Sequence, residues 1–200
     1  PYLLIADSLA VKEGETASPT IQPDYREIGR WLGEQLRTKK QKIGIIADWK
    51  MSEAVQAEIS GLTEALEGSG SEISWCIYRR KEQNITERMK EETKADALVI
   101  LDPGVLEEFG EQAEHGKYKG AELYGVGYSL KTVALLDKGN IQGLVVPDGY
   151  EIGYKSVKEI AGKIEHKFYK MQGYTTEYQI FSKKDFFMDD DLERFLYSYE

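Results

Sequence analysis

The sequence is poor in the side chains that most often bind metal ions, with one cysteine and two histidines among 200 residues. Cys76 has no second cysteine with which to form a disulfide within the chain, and we interpret it as an inert structural thiol. His115 and His166 lie far apart, and no Cys/His spacing typical of a zinc site occurs. We therefore predict neither a metal site nor any other cofactor.

Motifs that carry common enzymatic chemistry are also missing. The sequence has no G-x-S-x-G nucleophile elbow, no H-E-x-x-H zinc motif and no G-x-x-x-x-G-K-[ST] phosphate-binding loop. The isolated histidines offer no serine–histidine–aspartate triad either. We therefore predict that the chain is not an enzyme.

The sequence has neither a long apolar run nor an excess of positive charge. No apolar run approaches the roughly 20 residues that a membrane-spanning helix needs. The formal net charge is −9, and the basic cluster at residues 37–42 is what a solvated loop would carry. Broad binding to phosphate backbones needs clustered lysine and arginine, so we predict no direct binding to nucleic acid.

Short apolar runs alternate with amphipathic segments along most of the chain. Apolar runs predict strands at residues 2–7, 42–48, 73–78, 95–101, 123–127, 141–146 and 178–181. Helical spacing predicts helices at residues 25–37, 52–67, 84–94, 105–113 and 130–138 and from residue 150, and the polar residues 8–23 predict a loop. The alternation indicates βαβ units and an α/β fold with a doubly wound parallel sheet of about five or six strands.

The stretch from residue 135 to residue 164 carries the most specific pattern. It combines a helix that ends at Gly139, a short strand, a turn and a long helix. This order resembles the closing part of type 1 periplasmic sugar-binding proteins and the effector domains of lactose/galactose-type repressors. Those proteins have an AIKDG-x-I-x-AT segment, a Q-x-P hinge and an M-G-x-x-A-V helix. The counterparts here are Leu135-Leu136-Asp137-Lys138-Gly139, Ile141, Pro147-Asp148-Gly149, Ile152-Gly153 and Val157.

The resemblance extends over nearly the whole chain, but the opening part of the family has no counterpart. Leu101-Asp102 resembles the family's N-D turn, and Val126-Gly127-Tyr128-Ser129 resembles its V-G-F-D hinge. We therefore expect the chain to be the closing part of a longer, two-lobed protein. The resemblance implies a first-lobe remnant at residues 1–22, an α/β second lobe at 23–147, a first-lobe helix at 148–173, and a C-terminal strand and closing segment at 174–200.

Several polar and aromatic residues directly follow the predicted strands. Ligands of doubly wound sheets bind beyond the carboxyl ends of the strands, where carboxylates can accept hydrogen bonds from hydroxyls and aromatic rings can cover a sugar's C–H face. The predicted ligand-binding residues are Asp48, Trp49, Asp102, Tyr128, Ser129 and Asp148. The alternative for each carboxylate is that it only caps the helix that follows.

Three positions depart from the pattern of the family. Ser129 stands in place of the hinge aspartate, Pro147 in place of the hinge glutamine, and Glu58 in place of a frequent arginine. Glutamate cannot supply the bidentate fork of arginine, and an acidic rim repels anions. We therefore expect the small-molecule ligand to be a neutral sugar or polyol, or a cationic solute.

The resemblance implies a ligand-binding module rather than a catalyst. The first hypothesis is an extracytoplasmic solute-binding protein for a sugar-like solute, membrane-associated through its parent protein, that closes around ligand at a hinge and serves a membrane permease or sensor protein. The alternative is the effector-binding domain of a lactose/galactose-type transcriptional repressor in the cytoplasm. Because residues 2–7 look like a strand without its neighbours, we also expect exposed apolar surface and self-association.

Overall fold

The computed structural model describes residues 3–5, 18–48, 52–79, 84–118 and 120–182. The strands are β1 (Leu4–Ile5), β2 (Thr20–Pro23), β3 (Lys42–Ala47), β4 (Glu72–Tyr78), β5 (Ala97–Ile100), β6 (Glu122–Val126), β7 (Gly143–Pro147), β8 (Tyr174–Thr176) and β9 (Tyr178–Ser182). The helices are α1 (Tyr25–Leu36), α2 (Glu53–Leu66), α3 (Ile85–Met89), α4 (Pro103–Glu114), α5 (Leu130–Asp137) and α6 (Gly149–Glu165).

Six strands form the larger of two sheets, here called the large sheet, in the order β4-β3-β5-β6-β7-β9. Strands β3 to β7 pair in parallel, and β9 runs antiparallel to β7. All four residues of β5 are buried, as expected for a strand covered on both faces. The sequence-based prediction of an α/β fold with a doubly wound parallel sheet is confirmed.

The two faces of the large sheet have separate apolar cores. On one face Ile43, Ile45 and Val99 pack with Ile28 and Leu32 of α1 and with residues of α2. On the other face alternate residues of the same strands pack with α4 and α5, including Ile46, Leu98, Ile100, Leu106, Phe109, Val133 and Leu136. This strict alternation fixes the strand register, because a slip of one residue would exchange the two cores.

A second, three-stranded sheet, here called the small sheet, has the order β1-β2-β8 with parallel pairing. Helix α6 packs against β2 and β8. The sequence-based prediction of a loop at residues 8–23 is wrong for β2, and residues 6–17 lie outside the described part. Ile21, Gln22 and Pro23 pair with residues 174–176, so β2 depends on a partner from the far end of the chain.

Among the other differences from the sequence-based elements, strand β8 lies where no strand is predicted, and helix α3 is shorter than predicted. Helix α3 ends at Met89 instead of residue 94, and none of its residues is fully buried, so little packing extends it. The four-part division of the chain stays a prediction, although β8 lies in the small sheet and β9 in the large sheet. The predicted closing segment after residue 182 lies outside the described residues.

None of the helices in the described ranges has both the length and the apolarity that crossing a membrane requires.

Helix α6 presents an apolar stripe to solvent on the side away from the small sheet. The stripe comprises Tyr150, Tyr154, Val157, Ile160 and Ile164, and their exposed fractions lie between 43% and 78%. The rings of Tyr150 and Tyr154 stack with their centroids 6.3 Å apart. Contiguous apolar surface of this kind on a soluble chain marks a contact surface or an association hazard.

We expect the 200-residue chain to self-associate through this stripe. Its weight-average mass in analytical ultracentrifugation should rise with concentration, and Ile164→Lys should shift the chain toward monomer because it places a charge in the apolar contact. Glu165→Gln is the matched control, since it makes the same change of charge at the neighbouring exposed position. A monomer at every concentration tested would contradict the prediction.

Candidate functional site

A cavity of about 760 Å³ opens at the carboxyl edge of the large sheet. Its lining includes residues at or after the ends of β3, β5, β6 and β7, and Gly149 and Ile152 of α6 form part of the wall beyond that edge. The volume falls in the range of small-molecule sites. The polar side chains among the described lining residues are Tyr25, Asp48, Ser52, Glu58, Arg79, Asp102 and Tyr128.

Asp102 is one of two buried carboxylates in the described lining of this cavity, with a side chain that is 5% exposed. Its Oδ1 accepts a hydrogen bond of 3.0 Å from the backbone N–H of Val105, because Asp102 is the N-cap of α4. Its Oδ2 lies 3.0 Å from Nε of Arg79. That contact is an ion pair without hydrogen-bond alignment, and Oδ2 receives no hydrogen bond from a described residue. Asp102 therefore combines both roles considered from the sequence, a cap and an available acceptor.

Arg79 connects the ends of three strands of the large sheet. It directly follows β4, and its backbone N–H donates to the carbonyl of Ala47 at the end of β3. Its Nε donates to Oδ1 of Asp48 at 3.3 Å and pairs with Asp102 beyond β5. Sequence reasoning missed Arg79, although its position directly after a strand is the same signal that selected Asp48 and Asp102.

Glu58 also lines the cavity and is 3% exposed. It lies on α2, which begins at the N-cap Ser52, where the side chain accepts from Val55 N–H at 3.2 Å. The position of α2 is set by its close crossing with α1, in which Gly29 lies directly against the carbonyl of Glu58. The sequence singled out Glu58 only as a departure from the family's arginine, but the structure adds it to the cavity.

The structure brings three of the predicted ligand-binding residues into one lining and leaves two outside it. Asp48, Asp102 and Tyr128 line the cavity, and Tyr128 is 57% exposed at its rim. Ser129 and Asp148 are absent from the lining and act as N-caps of α5 and α6. Trp49 lies outside the described residues.

The hydroxyl of Ser129 forms hydrogen bonds within the fold. It accepts from the backbone N–H of Thr132 at 3.1 Å and donates to Oε2 of Glu107 at 2.6 Å. This hydrogen bond, assisted by Lys131, holds the pKa of Glu107 below its ordinary value. Asp148 similarly accepts from the backbone N–H of Glu151 at 2.8 Å. Both side chains therefore have a structural role in the fold.

No cluster of three histidine, cysteine, aspartate or glutamate residues suited to a metal ion occurs in the part of the chain that the structure describes. Among the described lining residues, the groups suited to ligand binding are the carboxylates, the guanidinium group of Arg79, the hydroxyl of Ser52 and the tyrosine rings.

Solved structures of other proteins superimpose on most of this chain. No family model matches the sequence, and no curated protein matches it. The glucose-galactose binding protein GanP from Geobacillus stearothermophilus is 20% identical, with a TM-score of 0.73 over 92% of this chain and 68% of that protein. A carbohydrate transporter solute binding protein from Agrobacterium radiobacter, solved with D-arabinose, is 19% identical, with a TM-score of 0.79 over 98% of this chain and 70% of that protein.

A third solved structure, described as a LacI transcriptional regulator from Bacteroides fragilis, is 13% identical, with a TM-score of 0.71 over 92% of this chain and 68% of that protein. In all three comparisons nearly the whole of this chain is superimposed, on about two thirds of the other protein. These proteins are binding proteins and a regulator. The structural likeness confirms the resemblance inferred from the sequence motifs, and the chain has the α/β fold shared by type 1 periplasmic sugar-binding proteins and LacI-type regulators.

Proposed function

We propose that this chain is the ligand-binding module of an extracytoplasmic solute-binding protein for a sugar-like solute, and that it has no catalytic role. The single observation that carries the proposal is the cavity at the carboxyl edge of the large sheet, where buried Asp102 keeps one oxygen without a hydrogen bond from a described residue. Ligands of doubly wound sheets bind at this edge. The solved proteins of the same fold include one with a bound sugar.

The proposed mechanism is closure of the cavity by rotation of the small sheet and α6 against the large sheet. Within the described residues the backbone crosses between these two bodies from β2 to α1, from β7 to α6 and from β8 to β9. The crossing from β7 to α6 and the crossing from β8 to β9 are joined by a hydrogen bond of 3.0 Å, which the N–H of Asp148 donates to the carbonyl of Glu177. Since Gly149 and Ile152 lie just after a crossing, rotation there would move one wall of the cavity toward Asp102.

The partner in this proposal is a membrane permease or sensor protein that receives the closed, loaded module. Membrane association would come through the parent protein. The name of the Agrobacterium radiobacter protein as a transporter component supports the permease. The second candidate function is the effector-binding domain of a lactose/galactose-type repressor, which the likeness to the Bacteroides fragilis regulator supports. A helix-turn-helix upstream in the parent gene would favour the regulator, and a lipoprotein signal would favour the binding protein.

Isothermal titration calorimetry against neutral sugars, polyols and amino sugars tests the binding role. We expect at least one solute to bind, and Asp102→Ala to weaken its binding by about 10- to 100-fold, since a hydrogen bond to a charged group contributes about 1.5–3 kcal/mol. Loss of the cap of α4 also costs stability. Asn84→Ala is therefore the control, because it removes the cap of α3 outside the cavity lining and should leave affinity unchanged. A folded protein that binds none of these solutes would refute the proposed function.

A further inference from the structure

We propose that the solute carries a protonated amino group, and that the carboxylates of the cavity bind this group. The inference rests on the proposed function and deepens it, since it names the chemistry of the solute that the same cavity takes. It distinguishes an amino sugar or amino polyol from the neutral sugar of the same shape. Three features of the cavity support it: the balance of charge among its described lining residues, the burial and hydrogen bonding of Asp102, and the rings of Tyr25 and Tyr128.

The charges of the described lining residues are mostly negative. The carboxylates of Asp48, Glu58 and Asp102 share the lining with one guanidinium group, that of Arg79. Its Nε already lies 3.3 Å from Asp48 and 3.0 Å from Asp102, so one cation serves two anions. Even without Glu58, Asp48 and Asp102 together carry two negative charges against the single positive charge of Arg79. A ligand with a positive charge would balance the charges of these described residues, whereas a uronate or phosphate would add to their negative excess.

Asp102 is the group best suited to receive the amino group. Its side chain is almost fully buried, and Oδ1 is committed to the N–H of Val105. Oδ2 forms an ion pair with Arg79 Nε at 3.0 Å, which Arg79 shares with Asp48, but it receives no hydrogen bond from a described residue, so a further donor would stabilise it. A hydroxyl would supply a neutral hydrogen bond, but an ammonium group supplies a charge-assisted one, which is about twice as strong.

Two tyrosines of the same lining favour the same ligand. Tyr25 begins α1 and Tyr128 follows β6, so their rings stand at different parts of the cavity wall. The face of an aromatic ring attracts a cation and also packs against the C–H face of a sugar. The combination of buried carboxylate and aromatic rings therefore suits a compact solute with one charged end and one apolar face.

The test compares matched pairs of sugars by isothermal titration calorimetry with the whole chain. The pairs are glucosamine with glucose, galactosamine with galactose and mannosamine with mannose, each accompanied by the corresponding uronate. In at least one pair we expect the amine to bind about tenfold more tightly than the neutral sugar, as a charge-assisted hydrogen bond requires. Added salt should weaken the amine more than the neutral sugar, because it screens the charges.

Asp102→Asn separates the charge from the shape of the site. Asparagine keeps a side-chain oxygen that caps a helix as well as aspartate does, so α4 is retained. We expect this variant to reduce the preference for the amine to near parity, because the neutral amide cannot form the charge-assisted hydrogen bond with an ammonium group but can still form a neutral one with a hydroxyl. Asp96→Asn is the matched control, since it removes the same charge just before β5, at the opposite edge of the sheet, and it should keep the preference.

The outcomes separate the inference from the proposed function. Equal binding of amine and neutral sugar, or tightest binding of a uronate, would overturn the inference and leave a sugar-binding module. Binding of no sugar in any pair by the folded chain would overturn both. An amine preference that survives Asp102→Asn would also overturn the assignment of the amino group to this carboxylate.

Discussion

Replacing Gly61 with alanine is expected to destabilise the folded chain by about 3 kcal/mol and to lower its melting temperature by about 6–12 °C. Helices α1 and α2 cross with their backbones in contact. A Cβ atom on Gly61 would stand 1.9 Å from the carbonyl oxygen of Arg26, and one on Gly29 would stand 1.9 Å from the carbonyl oxygen of Glu58. These obstacles are backbone atoms, so the helices must separate and lose apolar contact across the face that they cover.

The control for this substitution is Gly153→Ala in α6. Apart from its chain neighbours and the adjacent backbone of α6, no heavy atom of a described residue lies within 4 Å of a Cβ built on Gly153. Alanine is favoured over glycine in a helix by about 0.5–1 kcal/mol, so the same chemical change should stabilise the chain here. Urea denaturation of both variants measures the expected loss of stability in Gly61→Ala and the expected gain in Gly153→Ala. A Gly61→Ala protein as stable as the parent would show that α1 and α2 do not pack as closely at Gly61 as in this structure.

The glycine crossing also connects stability to the cavity. Glu58 lies one turn before Gly61 on α2, and Ser52 and Val55 of the same segment belong to the cavity lining. Separation of the helices would therefore move one wall of the cavity. Gly61→Ala should weaken ligand binding even at temperatures where the chain stays folded.

The large sheet could be predicted from the sequence because its signals are local. β5 is buried on both faces and reads as a continuous apolar run, and Asp24 and Ser52 mark the starts of α1 and α2 as N-caps. The small sheet could not be predicted in the same way. β2 has four residues, ends in proline and is a strand only because β1 and β8 lie beside it. No local pattern within residues 18–24 indicates that this segment pairs with a strand about 150 positions later in the sequence.

The candidate site was partly predictable for a geometric reason. A residue that follows a parallel strand must lie at the carboxyl edge of the sheet, and this rule identified Asp48, Asp102 and Tyr128. The rule does not give the direction of a side chain. Ser129 and Asp148 occupy the same edge, but their oxygens turn back to cap α5 and α6. Residue type alone does not distinguish a ligand-facing side chain from a helix cap, because aspartate and serine can serve as either.

Helix α6 gives the clearest case in which the pattern identifies a helix but not its buried face. Its apolar residues Val157 and Ile164 face solvent, whereas Ser156 and Glu159 face the small sheet and are buried. Glu159 is 0% exposed, and its carboxylate accepts hydrogen bonds from Tyr169 Oη at 2.9 Å, Tyr174 Oη at 2.8 Å and Gln172 N at 2.8 Å. A buried carboxylate is stable only with such partners. Glu159 therefore fastens residues 169–174, and with them the start of β8, to α6.

Glu159→Gln is expected to destabilise the chain by about 2 kcal/mol at neutral pH, because hydrogen bonds to a charged group are lost and the new amide N–H₂ faces donors. Burial alone would raise the pKa of Glu159, but the hydrogen bonds from Gln172, Tyr174 and Tyr169 outweigh burial and lower it below its ordinary value. A group with a depressed pKa contributes stability above the pKa of the unfolded chain and loses it as pH falls through the folded pKa. The deficit of the variant should therefore be largest at neutral pH and shrink in acid.

Urea denaturation of the parent and of Glu159→Gln across an acid-to-neutral pH series measures this deficit. Glu165→Gln provides the control, since it removes the same charge from the exposed end of α6 and should change stability by less than about 0.5 kcal/mol. A Glu159→Gln deficit of the same size at every pH would contradict the charge argument and assign the loss to shape alone. A deficit that is largest at neutral pH and shrinks in acid, with none in the control, would identify the buried carboxylate of Glu159 as a contact that holds α6 on the small sheet and thereby helps to fix the wall of the cavity that α6 provides.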